Sequence, residues 1–154
     1  MKLITKFENW GDRHHPKLLD LIRIVLGAFL LFKGTLFYHN MPFLRDLVID
    51  AKVVNASPEL IMAVIYYVTY VHLAGGLLIC LGLITRLVCL LQIPIILGAV
   101  FLVNIPNSDV TSELWLSVLT LVLLLLFIVI GSGPISLDNF LKLDEKAATI
   151  NPNE

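Results

Sequence analysis

Residues 66–86 read YYVTYVHLAGGLLICLGLITR, and this stretch decides the fold that the sequence predicts. It is mostly apolar over about 20 residues, the length that an α-helix needs to cross the hydrocarbon core of a bilayer. It also carries His72 near its centre and the pair Gly75 and Gly76 soon after. The stretch therefore predicts a membrane-spanning helix, and it raises the question of what an imidazole does inside one.

The composition of the whole chain is typical of a membrane protein. Of its 154 residues, 58% are hydrophobic and 15% are charged, and the mean hydropathy is +0.89. A water-soluble domain of this size cannot bury so much apolar surface, because the buried fraction grows too slowly with chain length. The net charge is −1 and the 11 basic residues are dispersed, which argues against a nucleic-acid partner.

Four apolar segments meet or approach the length of a span, and they predict an all-α membrane protein with an up-down-up-down four-transmembrane-helix bundle. The segments cover about residues 18–38, 59–83, 87–103 and 114–130. Only Ile84, Thr85 and Arg86 join the second segment to the third, which predicts a tight antiparallel hairpin. Pro94 falls inside the third segment and is expected to kink it or to leave carbonyls for neighbours to satisfy.

The regions outside the spans are expected to lie at the membrane surface. Residues 1–16 have an amphipathic pattern that predicts a short interfacial helix, residues 17–140 form the membrane domain, and residues 141–154 are a polar tail. Residues 42–54 predict a further surface helix on the outer side. Lysine and arginine are concentrated before the first span, in the hairpin and after the fourth span, so the positive-inside rule places both termini in the cytoplasm.

Two basic residues lie inside the first span, where an ionisable side chain costs roughly 2.5–3.5 kcal/mol and needs a reason. Arg23 is close to the cytoplasmic end, and Asp20 is placed three residues earlier to pair with it. Arg23 is therefore either a structural ion-pair partner at the interface or a cation that faces the bundle and binds a ligand oxygen. Lys33 is close to the other end, from which its side chain can extend outward.

His72 is about ten residues from the cytoplasmic end of its helix, so it is too deep for its side chain to reach water. Thr69, Gly76 and Cys80 share its helical face with Ile65. Small and polar residues on one face mark the side that packs against other helices, so the imidazole is expected to point inward. A neutral packing group and a proton-carrying or ligand-binding group both fit this position.

The remaining polar side chains complete a candidate ligand site. Gln92 is predicted at a depth close to that of Arg23, and two tyrosines are predicted toward the outer side. The candidate ligand-binding residues are Arg23, Lys33, Tyr66, Tyr70, His72 and Gln92. An interior lined by them suits a flat, oxygen-bearing lipid such as a quinone, and equally a structural polar network. Haem is disfavoured because His14, His15 and His39 all lie near span ends, and no spacing indicates a metal site.

Three motifs in this order resemble the DoxX family of small four-span membrane proteins. They are RIVLGAFLLFKGTLF at residues 23–37, HLAGGLLICLGLITR at residues 72–86 and GSGPISLD at residues 131–138. The resemblance covers about residues 17–140 and implies a four-helix bundle in the bacterial cytoplasmic (inner) membrane. In some members it also implies the role of small partner in a thiosulfate:quinone oxidoreductase, while more distant relatives act as membrane chaperones or cargo receptors. The family often has an acidic residue where His72 stands, so no carboxylate-based proton role is implied here.

Two functions are therefore expected. The first is a redox-linked accessory subunit that binds a quinone or similar lipid, with the electron-donor site on a protein partner, because the sequence has no nucleophile–base arrangement, metal cluster or phosphate loop. Whether the chain is itself an enzyme, and whether it forms a homo-oligomer, is left open. The alternative is a membrane chaperone, assembly or cargo-interaction protein without redox activity, for which the apolar fourth span offers a surface. Arg86 and Asp138 are expected to pair structurally across the cytoplasmic face.

Overall fold

The computed structural model of the chain describes residues 17–50, 57–104, 111–133 and 136–141. Within these ranges the protein is helical and has no β-strand. The helices are α1 (Lys17–His39), α2 (Met41–Asp50), α3 (Pro58–Leu81), α4 (Thr85–Gly98) and α5 (Thr111–Ile130), and α4 continues as a π-helix, Ala99–Asn104. Residues 137–141 are also helical. The all-α prediction is confirmed, whereas the predicted interfacial segment 1–16 and residues 142–154 of the predicted tail lie outside the described residues.

Three helices, α1, α3 and α5, are long and apolar enough to cross a membrane. The apolar helix that begins with α4 is shorter, covering Thr85–Phe101. Pro94 lies inside this helix and has no N–H to donate, and the hydrogen-bonding pattern changes to that of a π-helix from Ala99 onward. The structure therefore supports several apolar spanning helices, and the complete four-span arrangement stays a prediction.

A tight turn joins α3 to α4, as the sequence predicts. Gly82 ends α3 with a φ of 69°, a left-handed conformation that glycine adopts without steric cost, and its N–H donates to the carbonyl of Ile79. Ile84 also has a positive φ, of 48°, and α4 begins at the next residue. Two left-handed residues within three positions reverse the chain, so this turn defines the hairpin end of the protein.

The closest packing is between α1 and α3, which run antiparallel. A Cβ added to Gly27 would lie 2.6 Å from the backbone nitrogen of Cys80 and 2.7 Å from the carbonyl oxygen of Gly76. A Cβ added to Gly34, two turns later, would lie 2.9 Å from the backbone nitrogen of Leu73 and 3.1 Å from the Cβ of His72. Missing side chains let the two backbones approach. The predictions that the glycines of α1 mark its packed face and that His72 points inward are confirmed.

The apolar core lies between the helices on this inner side. Its largest fully buried members include Leu30, Ile79, Leu124 and Phe127. The outer faces carry exposed large apolar side chains along every long helix, which is expected where the surrounding solvent is hydrocarbon rather than water. The packed core thus occupies the same faces that carry the buried polar side chains.

Candidate functional site

The buried Arg23 side chain lies at the hairpin end. Its Nη1 donates to the carboxylate oxygen Oδ1 of Asp20 at 2.9 Å, and both side chains are almost fully buried. The guanidinium carbon lies 3.1 Å from the position that a Cβ on Gly82 would take. Arg23 therefore lies against the C-terminal end of α3, where the helix dipole favours a positive charge. The predicted pair with Asp20 is present within α1, and the paired guanidinium packs against the end of α3.

Asp138 stabilises the hairpin turn itself. Its Oδ2 accepts a hydrogen bond from the backbone N–H of Ile84 at 2.9 Å, and its own N–H donates to the carbonyl of Gly82 at 3.4 Å. Ser136 begins this segment, its hydroxyl accepting from the backbone N–H of Asn139 at 3.2 Å as a helix N-cap does. The segment after α5 is thus held on the α3–α4 turn by one side-chain and one backbone hydrogen bond.

Arg86 lies in the first turn of α4 and packs on the C-terminal end of α5. Gly131 follows that helix with a φ of 92°, and a Cβ on it would lie 3.0 Å from Arg86 Nε. The absent side chain therefore makes room for the guanidinium. Arg86 Nη2 also donates to the carbonyl of Val129 at 3.5 Å. Arg86 and Asp138 lie at the same end of the protein and contact different segments, Val129 and Ile84, and their pairing with each other stays a prediction.

His72 lies in the middle of α3, and its ring is fixed on both sides. Nδ1 is 2.9 Å from the carbonyl oxygen of Val68, one turn earlier. Because a carbonyl oxygen only accepts, Nδ1 carries the proton in this geometry and Nε2 is left as an acceptor. The ring packs edge-on against Phe37, with centroids 5.3 Å apart. The residue is 3% exposed, and the hydrogen bond to Val68 is the one that the described residues give it.

Gln92 is fully buried on α4 and contacts the backbone of α3. Its Nε2 donates to the carbonyl of Val71 at 3.0 Å. A Cβ on Gly75 would lie 2.9 Å from the same nitrogen, so the glycine permits this contact. The other end of the amide, Oε1, is buried and has no hydrogen-bond partner among the described residues. A buried acceptor left unsatisfied costs about 1–3 kcal/mol, so a hydrogen-bond donor on a bound molecule would stabilise this oxygen.

The depth predicted for Gln92 is wrong. Its amide contacts the turn of α3 between Val71 and Gly75, next to the imidazole, whereas the Arg23 guanidinium contacts Gly82. Seven residues of helix separate Gly75 from Gly82, or roughly 10 Å. The prediction erred for two reasons. The helix α4 begins at Thr85, two residues before its expected start. Helix side chains also point back toward the N-terminus, so the long Arg23 side chain extends toward the hairpin end of the protein. We call the turn of α3 that holds His72, together with Gln92, the middle level.

The tyrosines do not line this interior, which corrects the predicted site. Tyr66 and Tyr70 stack on each other, with ring centroids 6.2 Å apart, and are 44% and 55% exposed. Gly75, where α4 packs, is nine residues after Tyr66, which at 100° per residue is the opposite face of α3. The rings are therefore half a helical turn away from Gln92, on the outer surface.

Lys33 has a partner that the sequence does not indicate. Its Nζ is 2.7 Å from Oε2 of Glu113 at the start of α5, and it lies 5.9 Å from the ring centroid of Phe29. The side chains are partly exposed, so this pair joins α1 to α5 near the end opposite the hairpin. Glu113 follows Lys33 by 80 residues, and no local spacing relates the two. The ion pair accounts for a charge that is otherwise unfavourable within a span.

The described residues contain no group of three histidine, cysteine, aspartate or glutamate side chains that could hold a metal ion. Cys80 and Cys89 are free thiols, and Cys89 is buried in the core. The polar groups of the middle level are the imidazole of His72, the amide of Gln92 and the buried hydroxyl of Thr69. Such groups bind and orient a ligand by hydrogen bonds.

Three long apolar helices that enclose buried polar side chains define a multi-pass integral membrane protein. The family model named DoxX matches residues 18–105, more than half of the chain. The protein therefore belongs to the DoxX family of small integral membrane proteins. The matched range includes Arg23, His72 and Gln92 and ends before α5, so the third motif lies beyond it. No curated protein and no solved structure matches the chain.

Proposed function

We propose that this DoxX-family protein binds a quinone or similar lipid at the middle level, as a redox-linked accessory subunit in the membrane. The observation that carries the proposal is the buried Oε1 of Gln92, which lacks a hydrogen-bond partner among the described residues. A buried acceptor in low-dielectric surroundings is stabilised when a bound molecule donates to it. The site therefore favours a ligand with polar atoms on an otherwise apolar body.

The residues around this oxygen suit such a ligand. The amide of Gln92 is oriented by Val71, and the imidazole of His72 is oriented by Val68 within the same turn of α3. Two polar groups held within one helical turn, about 5.4 Å in height, match the two oxygens of a small ring. The isoprenoid tail of a quinone is soluble in the surrounding hydrocarbon. When bound, the quinone supplies the redox chemistry, and the chain orients it and keeps water away.

The proposal includes a protein partner and an orientation in the membrane. The electrons reach the quinone from a partner subunit, and the hairpin end lies on the cytoplasmic side of the bacterial inner membrane with both termini. The support is that Arg23 and Arg86 both lie at the hairpin end, in agreement with the positive-inside rule. Thiol labelling of single cysteines placed at Ile84 and Phe43, from either side of sealed vesicles, tests the orientation.

The test of ligand binding is mass spectrometry of the solvent extract of protein purified in mild detergent. We expect a quinone near one per chain in the wild type and at least fivefold less in Gln92→Met and in His72→Leu. Thr120→Val is the matched control, because Thr120 is a buried polar residue whose hydroxyl bonds within α5. Trace lipid in the wild type, or equal amounts in all four proteins, would exclude a quinone site at this level.

A second candidate is an interaction protein for membrane helices, and α5 favours it. This helix exposes a stripe of large apolar side chains at alternating spacings of four and three residues, namely Trp115, Leu119, Val122, Leu126 and Val129. The same alternation is typical of a helix seam that packs against another helix. A photo-crosslinking residue at Val122 should capture a protein partner, whereas one at Leu90 on α4 should not. Capture of lipid alone at both positions would leave the stripe as a bilayer-facing surface.

A further inference from the structure

We propose that the middle level selects the reduced, hydroxyl-bearing form of its ligand, a quinol, over the oxidised quinone. This inference rests on the proposed function and names the form of the ligand that the site prefers. A quinone offers two carbonyl oxygens, which only accept hydrogen bonds. A quinol offers two O–H groups, which also donate. The hydrogen-bonding character of the protein atoms at this level therefore decides between the two forms.

The atoms that the middle level presents are mainly acceptors. Gln92 Oε1 has no partner among the described residues, and it is an amide carbonyl oxygen that cannot donate. His72 Nε2 is the acceptor nitrogen of a ring whose Nδ1 proton is directed to the Val68 carbonyl. Gln92 Oε1 is buried and lacks a donor, and His72 Nε2 can accept a second hydrogen bond, so the two hydroxyls of one quinol ring can donate to both atoms.

The surrounding backbone prevents these side chains from reversing their roles. Rotating the Gln92 amide would place Oε1 against the Val71 carbonyl oxygen, where two acceptors would repel each other. The Val68 carbonyl imposes the same requirement on the facing nitrogen of His72. Both backbone groups belong to α3, whose position is set by its close packing on α1. The acceptor character is therefore built into the helix and does not depend on the ligand.

Two other polar groups at this level affect the preference for a quinol. The second hydrogen of the Gln92 amide can donate to a carbonyl, so the oxidised ring also binds, with fewer partners. The hydroxyl of Thr69 is buried without a partner among the described residues, but it can turn to the Ile65 carbonyl of its own helix and needs no ligand. The middle level thus offers a ligand two fixed acceptors, Gln92 Oε1 and His72 Nε2, and one free donor, the second hydrogen of the Gln92 amide. We expect the quinol to bind about tenfold more tightly, or roughly 1.4 kcal/mol.

The experiment is a competition on wild-type protein in lipid nanodiscs under anaerobic conditions. Equal amounts of decylubiquinol and decylubiquinone are added, the nanodiscs are recovered, and the bound forms are quantified by mass spectrometry after subtraction of empty nanodiscs. A third probe, the dimethyl ether of decylubiquinol, keeps the ring and removes both O–H groups. We expect the quinol in about tenfold excess over both other probes. The excess should fall toward equality in Gln92→Met and in His72→Phe and persist in Thr120→Val.

The outcomes separate the inference from the function on which it rests. Equal binding of quinol and quinone, or an ether that binds as well as the quinol, overturns the preference and leaves quinone binding intact. Specific binding of none of the three probes removes the quinone site and the preference with it. The ether comparison is made on the wild type alone, so it remains decisive if a variant fails to fold.

Discussion

The carboxylate of Asp138 accepts a hydrogen bond from the backbone N–H of Ile84 at 2.9 Å, across 54 residues of sequence. Ile84 has a φ of 48°, which is unfavourable for a β-branched residue. Such a conformation costs of order 1–3 kcal/mol and persists only where its surroundings impose it. The segment after α5 therefore stabilises the turn that sets α4 beside α3, and so helps to place Gln92 at the middle level.

Replacing Asp138 should destabilise the protein through this turn. Asp138→Ala removes a hydrogen bond to a charged group, worth about 1.5–3 kcal/mol, and leaves the N–H of Ile84 without that acceptor. Ile84→Gly should be nearly neutral or stabilising, because glycine adopts the left-handed conformation freely and the isoleucine is exposed. Thermal unfolding followed by circular dichroism in detergent measures both. An Asp138→Ala protein as stable as the wild type would show that the turn needs no support.

The Asp20–Arg23 pair should behave as a coupled unit. Removing one partner of a buried ion pair leaves an uncompensated charge and costs about 3–5 kcal/mol. Asp20→Asn and Arg23→Met should therefore each be strongly destabilising, and the double variant should be less unstable than the sum of the two. Denaturant titration of all three gives the coupling, with Arg45→Met on the exposed surface of α2 as control. Additive losses would mean that each side chain is held by other neighbours.

Alanine substitutions at the two adjacent glycines of α3 should have different effects on stability and on ligand binding. A Cβ on Gly76 would meet the backbone of α1, at 2.6 Å from the nitrogen of Leu31, so Gly76→Ala should separate the helices and lower stability by about 1–3 kcal/mol. The three atoms nearest to a Cβ on Gly75 belong to side chains, with the Gln92 amide nitrogen closest at 2.9 Å. Gly75→Ala should therefore keep the fold and reduce the bound quinone. Thermal unfolding and quinone content are measured on both variants. An equal loss of stability in the two variants would contradict this prediction.

The exposed tyrosines should not affect the middle level. Tyr66 and Tyr70 stack on each other on the exposed side of α3, away from the face at Gly75 where Gln92 packs. The double variant Tyr66→Leu, Tyr70→Leu should retain wild-type quinone content in the extraction experiment. A loss comparable to that of Gln92→Met would place the ligand on the outer surface instead.

Local properties of the sequence were sufficient for much of the fold. Hydropathy and segment length predict α1, α3 and α5, because an apolar run of that length has one stable state in a bilayer. Asp20 and Arg23 pair because three residues of helix bring their side chains together. The positions of Gly27 and Gly34 predict the packed face of α1, since close helix contact in a membrane requires small residues. These features are set within one helix or by the membrane.

Contacts between segments far apart in the chain required the tertiary structure. The register of α4 on α3 decides that Gln92 reaches Val71, and the side of α3 that α4 covers decides that the tyrosines face outward. The Lys33–Glu113 ion pair likewise depends on how α5 is set against α1. Periodicity specifies which side chains share a face of one helix. Which helix packs on that face, and how far along the helix axis its side chains make contact, depend on packing between helices. The sequence by itself therefore determined a DoxX-like membrane protein with an inward-facing His72, and only the packing of α4 on α3 brought Gln92 to its level.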